Sequence, residues 1–176
     1  MTLDNYLTAS ILIGSVPGVF FGARLSSRAP DHVIRPALVY GRAGSIPAMF
    51  TKSAKETGSV RYVGDGKNRW PFVDVEDLAA LYVLALEKAP AGSLYNAAHG
   101  PSYLVAEVAE AASIGGGAKG KTQSWPLEEA RKVFHAFADA LVLDQQISGE
   151  KARKELGWSP RAKSVLDDLK TGSYAG

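Results

Sequence analysis

Hydrophobic positions along this chain recur every second residue in some stretches and every third or fourth in others, so strands and helices alternate. The clearest stretch runs from Val60 to Lys88. Val60-Arg61-Tyr62-Val63 alternates, as a short strand with one wet face does. Gly64-Asp65-Gly66 follows as a tight turn, because residues without a Cβ accept positive φ. A second extended piece spans Trp70 to Val73 and is pinned at Pro71, which has no N–H to give a ladder. Asp74 caps what comes next, with Asp77 near the positive end of the helix dipole. From Val75 onward the apolar residues Leu78, Leu81, Tyr82 and Ala85 recur at helical spacing, until Pro90 stops the helix.

The same reading extends in both directions. His32 to Gly41 is a buried strand ending in a turn, and Ile46 to Thr57 is a helix with Gly58 as its C-cap. Gly92 to Ala98 is a strand. Ser102 caps a helix through about Ser113 that turns Val105, Val108, Ala109 and Ala112 inward, and Gly115-Gly116-Gly117 ends it. Leu127 to Leu143 is one long amphipathic stretch with Val133, Phe134, Phe137, Leu141 and Val142 inside. Ile147 to Leu156 is a helix stopped by Gly157, with Pro160 beyond and Trp158 packing the helix end onto the body. A last helix from Ser164 to about Lys170, with Asp167 in the box position, closes at Gly172. Residues 1–31 fit no element and stay unassigned.

Composition narrows the function classes. At 176 residues the chain is long enough for one domain with a real core, and 46% hydrophobic with 22% charged residues argues against disorder. A net charge of +2 without a block of Lys and Arg gives no nucleic-acid footprint. The absence of cysteine removes disulfides, thiolate metal sites and thiol nucleophiles, and fits the cytoplasm. Tyr6 to Ala23 carries no charge, but Ser15, Pro17 and its glycines interrupt it, and no basic residue precedes Arg24. Neither a signal peptide nor a membrane span is expected. His32, His99 and His135 lack metal-ligand spacing, so no metal site is expected.

The run G-D-G-K-N-R-W-P-F-V-D-V-E-D-L-A resembles the substrate-domain signature of the NAD-dependent epimerase/dehydratase family, the extended short-chain dehydrogenase/reductases. Arg35, Pro36, Val39, Tyr40 and Gly41 match that family's R-P-x-x-V-Y-G strand. Gly92 to Ala98 is similar to its G-x-x-Y-N segment, and Lys151 to Pro160 to its K-A-x-x-x-L-G-W-x-P element. The resemblance covers residues 32–175, the family's C-terminal half. It implies an α/β fold: the edge of a Rossmann-like parallel sheet carrying a helical substrate-binding subdomain, over residues 32–176. It further implies that Pro36, Val39 and Tyr40 run along the nicotinamide half of NAD(P). Arg69 and Trp70 would meet a small-molecule substrate, phosphorylated or nucleotide-linked. Trp70 stands where the family's arginine is commonest, with Arg69 one place before it, and Asp74 stands where His or Tyr is frequent.

Catalysis in that family rests on a Tyr-x-x-x-Lys pair on one helix face, the lysine lowering the phenol's pKa. None of the seven tyrosines is followed four residues later by lysine. The glycine-rich dinucleotide fingerprint and its ribose-binding acid are also missing. No catalytic residue is assigned. The expected function is the substrate-binding portion of an NAD(P)-dependent epimerase, dehydratase or reductase, inactive alone, with a non-catalytic binding module on the same fold as the alternative. The strand Val33 to Val39 is apolar on both faces, so without its family neighbours it implies self-association or a missing N-terminal half.

One further motif is Gly115 to Thr122, GGGAKGKT, which satisfies the phosphate-loop pattern G-x-x-x-x-G-K-[ST]. Lys121 and Thr122 would then serve phosphate and magnesium, and Asp144 would end a metal-holding strand. That chemistry requires strand, loop, helix. The alanine-rich run before Gly115 reads as helix, and Pro126 would fall inside the required helix. A surface connector is the reading preferred over a nucleotidase.

Overall fold

The computed structural model describes residues 33–41 and 45–175. The unassigned segment 1–31, the uncharged run within it and His32 lie outside the described residues. Two strands begin the described chain: β1 (Val33–Pro36) and β2 (Leu38–Tyr40), separated at Ala37. β1 pairs in parallel with β6 (Leu94–Ala97), and β2 pairs in parallel with β5 (Phe72–Asp74). The changeover is carried by two backbone bonds, Ala37 N–H to the Ala97 carbonyl and Leu38 N–H to the Pro71 carbonyl, both 2.9 Å. A strand neighbour on one side only is found for β1 among the described residues.

Strand alternation explains why these paired strands carry two cores. Tyr40 and Phe72 project into one cluster, while Val39 and Val73, their neighbours in sequence, project into the other. Strands covered on both faces read as continuous apolar runs, and VIRPALVYG nearly does. The first core collects α1 (Ile46–Thr57), α3 (Val105–Gly115) and α7 (Val165–Thr171). The second collects α2 (Val75–Lys88), β6 and α6 (Glu150–Leu156) around Tyr95 and Trp158. Trp158 is 2% exposed and its indole N–H donates to the Asp77 carbonyl at 2.9 Å.

The helix ends follow their local chemistry. Ser45 caps α1, Asp74 accepts from the N–H groups of Glu76 and Asp77 to start α2, and Ser164 accepts from Asp167 N–H to start α7. Gly58 and Gly157 take the left-handed conformation that ends α1 and α6. Two expectations are corrected. Ser102 does not cap α3: Tyr103 and Leu104 form β7, antiparallel to β4 (Arg69–Trp70), and the Glu107 carboxylate accepts Leu104 N–H at 3.0 Å. The long stretch from Leu127 breaks into α4 (Leu127–Phe134) and α5 (Phe137–Leu141), because His135 adopts φ 51° and ψ −135°. The break turns Val133 and Phe137 toward the surface.

The GGGAKGKT segment joins a helix to a strand. Gly115 ends α3, and Thr122 opens β8 (Thr122–Trp125), which runs parallel to β3 (Val60–Val63). Its first glycines are packing residues. A Cβ on Gly116 would stand 2.5 Å from the Ala54 Cβ and 2.9 Å from the Thr51 carbonyl, so α1 crosses α3 there at close range. A Cβ on Gly115 would collide with the Leu169 carbonyl on α7. Asp144 lies beyond α5, outside any strand. No helix among the described residues is long and apolar enough to cross a membrane.

Candidate functional site

A cleft of about 300 Å³ lies between α1, β3, β8 and the α4–α5 pair. Its construction is legible residue by residue. On α1, Ile46, Met49, Phe50 and Ser53 recur at i, i+3, i+4 and i+7 and give one wall. An adjoining face of the same helix, Pro47, Thr51 and Ala54, is buried. The helix therefore has two apolar sides, one for the core and one for the cleft. Trp70 supplies the floor at 2% exposed, its ring stacked on Phe50 with centroids 6.2 Å apart and planes at 26°. Trp125 and Phe134 meet edge to face at 5.5 Å on the far side, and the Arg61 guanidinium lies over Trp125 at 5.4 Å.

Arg69 and Trp70 are adjacent on β4, and alternation sends them apart. Trp70 enters the cleft; Arg69 is exposed and its guanidinium donates to the Ser102 carbonyl at 3.1 Å. The Arg69 backbone N–H donates to the Asp144 carboxylate at 2.7 Å, and its carbonyl accepts from Gln145 N–H at 2.8 Å. Asn68 adds amide bonds to the carbonyls of Leu141 and Leu143 at 3.0 and 3.1 Å. These contacts fasten the segment after α5 against β4, behind the cleft. The Gln146 amide, with Arg69's N–H and charge, holds the Asp144 carboxyl below its ordinary range. Asp144 is thereby a structural acceptor. Among the described residues no group of three or more His, Asp and Glu side chains could hold a metal ion.

The strand residues expected beside a cofactor divide likewise. Pro36 lies on β1 in register with Ala97, and Val39 is half-buried against the second core. Tyr40 is turned inward at 2% exposed, its ring edge-on to Phe72 at 6.3 Å, and its hydroxyl donates to the Lys163 carbonyl. Burial, with the charges of Asp74, Asp77 and Asp168 behind it, pushes this phenol well above its usual pKa. Its side chain is engaged in the interior, so a dinucleotide along this strand would meet the backbone of β1 and β2 and Val39. Gly41, at φ 109°, then turns the chain so that its N–H reaches the Tyr174 hydroxyl at 2.8 Å.

Residues 29–98 match the model of the NAD dependent epimerase/dehydratase family. Over that stretch the chain resembles this family. An uncharacterized protein of Schizosaccharomyces pombe is 33% identical over 145 residues, covering 79% of this chain and 47% of the relative. The chain thus spans about half the length of the curated relatives it matches. Among solved structures it resembles dTDP-glucose 4,6-dehydratase from Bacillus anthracis in complex with NAD, with TM-score 0.63, 20% identity, and 81% of this chain and 43% of that one covered. It also resembles the human epimerase family protein SDR39U1 with NADPH, with TM-score 0.64, 22% identity, and coverage of 81% and 48%. Both likenesses show the Rossmann-like α/β fold expected from the sequence.

Sequence reasoning located Trp70 and the turn before it, and missed Arg61, the second face of α1 and the Trp125–Phe134 wall. Two signals were present. Ile46, Met49, Phe50 and Ser53 form a second stripe on α1, and Arg61 occupies the wet face of an otherwise apolar strand.

Proposed function

We propose that residues 32–176 form the substrate-side portion of an NAD(P)-dependent epimerase, dehydratase or reductase, with the aromatic cleft as the seat of a small-molecule substrate. The observation that carries this reading is Trp70. It follows the family's G-D-G turn within the matched stretch, and its ring forms the floor of the cleft. NAD(P), when bound, would exchange a hydride with a substrate carbon. The backbone of Pro36 and Val39 would line its path, and Tyr40 would hold the end of that path by its bond to Lys163. Trp70 and its neighbours would exclude water and orient the substrate, and Arg69 would brace the wall behind it through Asp144. No Tyr-x-x-x-Lys pair occurs in the sequence, so proton exchange at the substrate requires groups this chain does not supply. We place the protein in the cytoplasm.

Titration calorimetry with NADH, and a turnover assay with a panel of carbonyl compounds, test this. The isolated chain should bind NADH weakly and turn over none of the panel. Tight NADH binding, or measurable hydride transfer by the chain alone, would overturn the assignment of a substrate-side role.

A further inference from the structure

We infer that the cleft takes a flat apolar ring system, about bicyclic in size, that carries a single anionic group seated on Arg61. This rests on the cleft being a substrate site, and it names the class of ligand. Size comes first. A cavity of about 150 Å³ accepts one benzene, so the 300 Å³ here suits two fused rings. A nucleotide-linked sugar, with a base, two sugar rings and two phosphates, is far larger.

The lining decides the chemistry. Phe50 and Trp70 offer one aromatic wall, Trp125 and Phe134 another, and Leu141 fills between them. Sugar hydroxyls brought against these groups would lose water without gaining partners. Ser53 also lines the cleft, yet its hydroxyl already donates to the Ser59 carbonyl at 3.1 Å. Flat rings match aromatic walls in offset or edge-on contact. The mouth is apolar too, since Met49 is 57% and Phe137 52% exposed.

The one charge lining the cleft is Arg61. Among the described residues it forms no ion pair, and Trp125 lies beneath its guanidinium. A planar fork resting on an aromatic face is held in orientation while its N–H groups stay open, the arrangement that receives a carboxylate or a phosphate. Both sources of negative charge satisfy the same fork, and the probes below separate them.

The test uses the whole chain and three probes of known charge: 2-naphthoate, 2-naphthyl phosphate and neutral 2-naphthol, with UDP-glucose as the competing class. Indole N–H resonances report the site. Trp70 and Trp125 line the cleft, while Trp158 donates to Asp77 in the other core and serves as an internal reference. The naphthyl probes should move Trp70 and Trp125 and leave Trp158 in place, and UDP-glucose should move none. Arg61→Gln should weaken 2-naphthoate or 2-naphthyl phosphate, whichever binds tighter, by about tenfold, with 2-naphthol changed about twofold or less. Phe137→Ala, at a half-exposed position that does not endanger the fold, should weaken charged and neutral probes alike. Tighter binding of UDP-glucose at Trp70 and Trp125 would overturn the ligand class and leave the cleft a substrate site. Equal losses for naphthol and the anions in Arg61→Gln would remove Arg61 as the anion seat and overturn the inference. If no probe moves either indole, both this inference and the assignment of the cleft fall together.

Discussion

At the scale of single residues, the glycines of GGGAKGKT show how one string of letters can serve packing instead of ligand binding. Gly115 lets α7 cross α3 and Gly116 admits α1, whereas the Lys121 side chain is exposed. Gly115→Ala should therefore cost about 1–3 kcal/mol in urea unfolding, the range for overpacking a tight contact. Lys121→Ala should stay within about 0.5 kcal/mol of the parent. Calorimetry with ATP and Mg²⁺ should show no binding in either protein. Tyr40 yields a second residue-scale prediction. Its phenol is raised in the folded state by burial first and by nearby carboxylates second, against about 10 in an unfolded chain. The folded protein keeps this proton longer, so the stabilising effect is complete below about pH 10 and falls as pH rises beyond it. Thermal melts from pH 8 upward should show that alkaline decline, and Tyr40→Phe should flatten it. An unchanged slope in the variant would count against the buried phenol as its source.

At the scale of elements, much was legible because the signals were local. The bounds of α1, Ile46–Thr57, coincide with the sequence reading, since Ser45, Pro47 and Gly58 punctuate it. The strand Val60–Val63, the Gly64–Gly66 turn and the Asp74 cap follow from local chemistry in the same way. What escaped the reading depends on distant partners. The cleft wall exists because β3 pairs with β8, setting Val60 beside Thr122, and no local period announces that pairing. The break between α4 and α5 was hidden for another reason. A histidine at φ 51° and ψ −135° occupies a region that glycine tolerates and other residues enter under strain. His135→Gly should therefore raise stability by about 1 kcal/mol, the relieved strain outweighing the added freedom of the unfolded chain. A denaturation midpoint below that of the parent would show that His135 is held there by contacts worth more than the strain.

At the scale of the whole molecule, the family resemblance and the fold class were readable from motifs that span most of the described chain. The described strands suggest a test of assembly. β1 has a neighbour on one side among the described residues, and an open strand edge templates pairing. Val75, Tyr82, Val83 and Leu86 add exposed apolar surface along α2. Light scattering should give a solution mass above that of one chain, changing little with salt because backbone pairing and apolar contact are weakly screened. A single-chain mass across the accessible concentration range would contradict this.

The fastening of residues 161–174 also bears on how the protein comes into being. The Asp77 carboxylate receives the N–H groups of Arg161 and Ala162 at 2.9 and 3.0 Å, and Leu169 completes the core beside Gly115. Tyr174 ties back to Gly41 and Ser45. A chain made from its N-terminus has its sheet strands and α3 emerged while these partners are still inside the ribosome. During that interval α3 presents a bare alanine-rich face, and the turn at Gly41 lacks its anchor. A chain cut back to end before Arg161 should therefore lose these anchors and be cleared by proteases faster than one that carries residues 161–174.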